Sequence, residues 1–171
     1  MIIKKIKISP FKQIVFHDKV NIIIANNGVG KSKFLSDIFW DNPKNSLLVK
    51  FAHDSWGKAT KKDINTYIEK VNTLFNLNAT FDNYKSDGIS WLMTLVDVVE
   101  NAPLNNVILV DDIDNHVNYR TQEILIDVLT KLRSDLQFIV TAHSPNIYKK
   151  IHSNDVIELF ETPKDIEICY D

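Results

Sequence analysis

Val20-Asn21-Ile22-Ile23-Ile24-Ala25-Asn26-Asn27-Gly28-Val29-Gly30-Lys31-Ser32 is the stretch that decides the fold. Its first five residues are almost all apolar, as in a strand buried on both faces. They run into a glycine-rich loop that ends in Lys-Ser. The next residues, Lys33-Phe34-Leu35-Ser36-Asp37-Ile38-Phe39-Trp40, carry apolar side chains at helical spacing. Strand, loop and helix in this order match the phosphate-binding pattern G-x-x-x-x-G-K-[ST], with Ala25 in place of the first glycine. Gly28 and Gly30 let the backbone turn its N–H groups inward around a polyphosphate. Lys31 can reach the β- and γ-phosphates, and the Ser32 hydroxyl can ligate Mg²⁺. Asn26, Asn27, Val29 and Lys33 complete the expected nucleotide-binding loop, and the phosphates would also face a helix N-terminus.

The rest of the composition sets bounds on this reading. The chain has 171 residues, 44% hydrophobic and 25% charged, which fits one soluble globular domain over residues 1–171. A net charge of −2 argues against nucleic-acid affinity spread over the whole surface, so any such contact is local. Lys58-Ala59-Thr60-Lys61-Lys62 is the one basic run and reads as a solvated helix start. Cys169 is the single cysteine, so no disulfide can form within the chain, which suits a reducing cytoplasm. Lysines interrupt the apolar stretch Met1-Ile2-Ile3-Lys4-Lys5-Ile6-Lys7-Ile8, unlike a signal peptide. No window approaches the roughly 18 apolar residues of a membrane span, so no membrane role is expected.

Outward from the loop, strands alternate with helices. Ile2–Ile8 alternates as an edge strand. Leu47–Phe51, Val107–Val110 and Phe138–Val140 read as strands. The apolar stripes Ile64/Ile68/Val71/Leu74, Trp91–Val99 and Ile124–Leu132 read as helices. Residues 76–86 are polar and form a loop. Ser144-Pro145 reads as an N-cap followed by proline at the first helical position. Val156–Phe160 and Ile166–Tyr170 look like a closing hairpin. Trp40 and Trp91 are assigned to the core, and Trp56 to a polar loop where it could meet a partner. The alternation gives an α/β fold, a mainly parallel sheet with helices on both faces and an antiparallel β portion at the N-terminus.

Val107-Ile108-Leu109-Val110-Asp111-Asp112 is a buried strand ending in two acids, some 80 residues beyond Lys31. Strand C-termini in an α/β sheet face the ligand crevice. Asp111 is therefore expected to hold Mg²⁺, and Asp112 to orient or deprotonate the attacking water. Thr141-Ala142-His143-Ser144-Pro145 repeats the pattern, with His143 able to donate to a γ-phosphate or to the water.

These three motifs, in this order, resemble the ABC-type ATPases, in particular the soluble branch with SMC, RecF-like and OLD-like proteins. Ile6-Lys7-Ile8-Ser9-Pro10-Phe11-Lys12 resembles that branch's first strand and its aromatic-basic pair, placing Lys12 at the nucleotide. Asp111-Asp112-Ile113-Asp114-Asn115-His116 resembles the Walker B and D-loop run. Phe138–Pro145 is similar to the switch-histidine strand. The resemblance covers residues 1–40 and 105–150 and weakens between 41 and 84. In such proteins a serine-glycine signature loop faces the γ-phosphate held by the opposing subunit. Ser86 and Gly88 of Tyr84-Lys85-Ser86-Asp87-Gly88-Ile89-Ser90 match it, whereas Ile89 replaces the usual Glu or Gln.

The resemblance implies ATP and Mg²⁺ as ligands, Lys31, Asp112 and His143 as catalytic groups, and an ATP-dependent homodimer. It also implies an effector or nuclease partner, in DNA repair or phage defence. Three departures qualify it. Asp112 stands where the family has Glu, about one methylene short, which predicts slow hydrolysis. No glutamine lies between residues 14 and 121 to serve as the Q-loop, leaving His53 or Asp54 as stand-ins. No long heptad insertion lies between residues 50 and 85, so the coiled-coil arm of SMC-type proteins is missing. The second reading is a nucleotide-sensing switch with negligible turnover. A small-molecule kinase lacks its arginine-rich lid here, with Arg120 and Arg133 the only arginines. A transporter nucleotide-binding subunit would need the Q-loop.

Overall fold

A computed structural model describes residues 2–8, 12–52, 55–149, 151–160 and 166–170, without the side chains of Ile8, Lys12, Ile166 and Tyr170. The strands are β1 (Ile3–Ile8), β2 (Lys12–Val15), β3 (Val20–Ile24), β4 (Ser46–Val49), β5 (Val107–Val110), β6 (Gln137–Thr141), β7 (Val156–Glu158) and β8 (Ile166–Tyr170). The helices are α1 (Lys31–Asp41), α2 (Lys61–Phe75), α3 (Asp87–Asn101), α4 (Tyr119–Leu132) and the single turn α5 (Pro145–Tyr148). Five strands form a parallel sheet in the order β4-β5-β6-β3-β7, and the other three an antiparallel sheet in the order β2-β1-β8.

The apolar runs of the parallel strands divide between two cores. Ile22, Ile108, Val110, Phe138 and Val140 face the first, with Ile64, Ile68 and Val71 of α2, Trp91, Leu95 and Val99 of α3, and Leu125 and Leu129 of α4. Their neighbours Ile23, Val107, Leu109 and Ile139 face the second, with Phe34, Leu35 and Ile38 of α1 and Ile3, Ile6 and Ile14 of the antiparallel sheet. Period-two alternation thus buries both faces, as the continuous apolar runs predict. Local signals set the helix starts. Thr60 and Asp63 form a capping box on α2. Asn118 caps α4, and Ser144 caps α5 with Pro145 at its first position.

Three expectations are corrected. β1 is the central strand of its sheet, not an edge, because β8 pairs with it from the far end of the chain. β7 and β8 form no hairpin: β7 joins the parallel sheet beside β3, and β8 joins the antiparallel one. Trp40 is 72% exposed rather than core. Trp56 lies in a turn, as expected, partly buried against the core, with its Nε1 donating to Thr94 Oγ1 at 3.2 Å. No described helix is long and apolar enough to cross a membrane.

Candidate functional site

In a parallel sheet every strand delivers its C-terminal residue to the same edge. The order β4-β5-β6-β3 therefore lines up four segments along one rim: Lys50 after β4, Asp111 and Asp112 after β5, Ala142 and His143 after β6, and the glycine-rich loop after β3. A cavity of about 350 Å³ spans the last two, lined by Ala25, Asn26, Asn27, His143, Tyr148 and Glu158.

The loop conformation depends on its two glycines. Gly28 and Gly30 have φ of 82° and 94°, in the left-handed region that costs other residues about 1–2 kcal/mol. α1 starts immediately after Gly30, with no side-chain cap and no acidic residue in its first turn. Its positive end is left to the loop, as an anion-binding helix terminus requires. Lys31 is only 6% exposed. Its Nζ donates to the Ala25 carbonyl at 3.1 Å. The position where the pattern departs from glycine thus contributes a backbone oxygen, which alanine supplies equally well. Asn26, Asn27, Gly28, Ser32 and Lys33 are exposed, and Lys33 pairs with Asp37 one turn along its own helix.

The acids are organised by Thr141, a residue whose role the sequence does not announce. Thr141, the last residue of β6, is fully buried. Its hydroxyl accepts the Asp112 N–H at 2.7 Å and lies 2.9 Å from Asp111 Oδ1 and 3.4 Å from Asp112 Oδ1. A hydroxyl has one proton to donate, and the shorter distance directs it to Asp111. Asp112 has φ of 50°. Its side chain is thereby aimed along the rim, with Oδ1 3.2 Å from His143 Nε2. A carboxylate and an imidazole, each partly open to solvent, stand in contact at the ends of adjacent strands.

A second lock holds His143. The Asp114 carboxylate is buried and accepts the His143 N–H at 3.0 Å and the Ser144 N–H. Gln122 Nε2 donates to the carbonyls of Asp114 and Val117, and the Ser144 hydroxyl donates to Gln122 Oε1 at 2.8 Å. In the sequence Asp114 stands out only within the D-loop-like run, and Gln122 carries no signal of its own. Charge at a strand end is legible in a sequence; which backbone amides it will cap is not.

The donors suit Mg²⁺. Ser32 and Asp111 offer hard oxygens, and Mg²⁺ takes one or two protein ligands with water and phosphate completing its shell. Asp111 is 9% exposed, with Oδ1 committed to Thr141 and Oδ2 turned to the Lys50 ammonium at 3.8 Å. A buried carboxylate with one oxygen already facing a cation fits a metal ligand. Among the described residues no group of three or more His, Cys, Asp or Glu could hold a metal by itself.

Ser86 and Gly88 lie on a different part of the rim, at the start of α3. Ser86 is exposed and makes no side-chain capping hydrogen bond. Gly88 has a packing reason of its own: a Cβ there would stand 2.5 Å from the His116 carbonyl oxygen. His116 has φ of 60° and packs its ring at a tilt of 39° against Phe51, with ring centroids 4.3 Å apart. Lys12 lies in β2 with its side chain outside the described residues, as are His53 and Asp54 entirely.

No protein-family model matches the chain. A probable ATPase of retron Ec83 from Escherichia coli is 33% identical over 81 residues, 43% of this chain and 15% of that protein. The chain thus spans only a small part of that relative. Among solved structures, the SMC head domain of Thermotoga maritima superposes with a TM-score of 0.67, at 15% identity, covering 99% of this chain and 98% of that one. A nucleotide-free ATP-binding cassette of an ABC transporter superposes with a TM-score of 0.53, at 14% identity, covering 94% and 88%. The parallel sheet, its helices and the separate antiparallel sheet form the fold of ABC-type P-loop ATPase heads.

Proposed function

We propose that this chain binds Mg-ATP at the rim of its parallel sheet and hydrolyses it slowly. The observation that carries the reading is the juxtaposition of the loop after β3 with the Asp111-Thr141-Asp112-His143 constellation after β5 and β6. Lys31 would leave the Ala25 carbonyl for the β- and γ-phosphates, with the loop amides and the α1 terminus around them. Ser32 and Asp111 would hold Mg²⁺, which supplies charge neutralisation for phosphoryl transfer. Asp112 would position the water, and His143 would donate to the γ-phosphate or to that water. The short Asp112 side chain motivates slow turnover.

The partner-facing part of the proposal rests on the fold. Two copies would sandwich two nucleotides, with Ser86 and Gly88 of one copy facing the loop of the other. The ATP-dependent homodimer would then act on an effector or nuclease in DNA repair or phage defence, in the cytoplasm, with residues 1–171 as one ATPase domain. The exposed, uncapped hydroxyl of Ser86 supports an intermolecular role.

A second reading is a nucleotide-sensing switch with negligible turnover. The Asp112–His143 contact favours it, since a carboxylate oxygen occupied by an imidazole is less free to position the water. Phosphate release and light scattering with Mg-ATP test both readings. Turnover abolished by Lys31→Ala supports the enzyme. Tight ATP binding without turnover supports the switch, and a monomer under saturating ATP in the Asp112→Asn variant refutes the sandwich.

A further inference from the structure

We propose that Lys50 occupies the metal's side of Asp111 in the nucleotide-free protein and competes with Mg²⁺ for that carboxylate. The inference rests on the nucleotide-site reading above and adds a residue to it. Register puts Lys50 there. Val49 pairs with Val110, and the Asp111 N–H donates to the Val49 carbonyl at 3.0 Å, so the residues after β4 and β5 are neighbours. The Lys50 ammonium lies 3.8 Å from Asp111 Oδ2, the oxygen that Thr141 does not engage. It also donates to Ser36 Oγ at 3.3 Å. Ser36 in turn donates to the Ser32 carbonyl at 2.8 Å, one turn from the hydroxyl expected on the metal. Lys50 thus bridges α1, which carries Ser32, and the end of β5, where Asp111 follows, the two places that hold the expected Mg²⁺ ligands.

Two cations cannot share one carboxylate oxygen without repulsion, so one must yield. The Lys50 side chain is 47% exposed and has a long flexible stem, whereas Asp111 is held by Thr141 and the sheet. Lys50 is therefore the group that moves when Mg²⁺ arrives. With Lys50 on Asp111, the buried carboxylate keeps a counter-charge before nucleotide binds, and Mg²⁺ has to displace it. Lys50 directly follows β4, whereas His53 and Asp54, named as stand-ins for the Q-loop glutamine, lie outside the described residues. Replacing Lys50 by an uncharged side chain should thus ease metal binding.

The test is a Mg²⁺ titration of the binding of a fluorescent non-hydrolysable ATP analogue to the full chain. Wild type is compared with Lys50→Met and Lys50→Gln, and with Lys44→Met as a control. Lys44 is exposed in the turn before β4, at the opposite end of a four-residue strand that rises about 13 Å, beyond a Debye length of about 10 Å. The Mg²⁺ midpoint should fall about three- to fivefold in both Lys50 variants, the range of a partly exposed ion pair, and stay unchanged in Lys44→Met. An unchanged or raised midpoint in the Lys50 variants overturns the competition while leaving nucleotide binding intact. Failure of wild type to bind the analogue at any Mg²⁺ concentration overturns the nucleotide-site reading and this inference with it.

Discussion

Replacing Thr141 by valine removes one hydroxyl from a fully buried site and keeps the shape of the side chain. Two hydrogen bonds go with it, the 2.7 Å bond from the Asp112 N–H and the 2.9 Å bond to Asp111 Oδ1. An unpaired polar group of this kind costs about 1–3 kcal/mol. Asp112 also sits at φ of 50°, a conformation costing about 1–2 kcal/mol that the Thr141 hydroxyl helps to hold. A loss of about 2 kcal/mol in a chain of 171 residues lowers Tm by about 4–8 °C. The functional effect should be larger than the structural one. Once released, Asp112 can relax out of the left-handed region, and its carboxylate leaves His143. A misplacement of about 1 Å costs about a hundredfold in rate. Nucleotide affinity should fall far less, because Lys31 and the loop amides come from β3 and α1. Thr141→Ser keeps the hydroxyl and should retain most of the turnover. The measurements are melting by circular dichroism, nucleotide binding by calorimetry and phosphate release. If Thr141→Val turns over ATP at the wild-type rate despite its lower Tm, the hydroxyl does not position the acids for chemistry. Equal rates in the Ser and Val variants, whatever their value, refute the reasoning as well.

Lys31→Ala should abolish ATP binding in calorimetry while leaving the melting temperature nearly unchanged, since among the described residues the ammonium donates to the Ala25 carbonyl alone. Asp112→Glu restores the missing methylene and should raise the rate of phosphate release; a lower rate would mean that the site is matched to aspartate. Gly88→Ala places a methyl 2.5 Å from the His116 carbonyl and should cost about 1–3 kcal/mol in urea unfolding, whereas Gly28→Ala, with open space around it, should cost about 1–2 kcal/mol through its φ of 82° alone. Burial, with a hydrogen bond to Asp97, pushes the Tyr67 hydroxyl up from 10.0 to about 12. The folded state keeps that proton after the unfolded chain has lost it, so this contribution is complete below pH 10 and lost as pH rises towards 12. Urea midpoints should therefore decline over that interval, and less steeply in Tyr67→Phe.

The fold was legible wherever one segment carries its own signal. Val20–Ile24 is continuously apolar because both its faces are covered, and β3 has those same bounds. The helical stripes show because each helix buries one side. What failed needed information from elsewhere in the chain. Nothing in Ile3–Ile8 announces that Ile166–Tyr170 will pair along its second edge. β7 and β8 are close in sequence and short, which resembles a hairpin, yet they enter different sheets. Trp40 lies two residues past the buried Ile38, about 200° around a helix of 3.6 residues per turn, and so faces away from the core. Size and apolarity alone suggested burial; helical phase decides otherwise.

For the candidate site, the same divide separates the residues named from the residues missed. Lys31, Asp111, Asp112 and His143 stand out because each is polar at the mouth of an apolar run. Thr141 and Lys50 acquire roles only through pairing. Val110 opposite Val140 places the Thr141 hydroxyl beside the two acids, and Val49 opposite Val110 places Lys50 beside Asp111. A shift of one residue in either pairing would turn these side chains to the opposite face of the sheet. The buried alternation that separates Ile108 and Val110 from Val107 and Leu109 therefore also fixes the geometry around Asp111. Core packing and site assembly are one constraint here. A core substitution that slipped β5 against β6 would disorganise the acids without touching any of them, and its signature would be lost turnover at a helix content close to wild type.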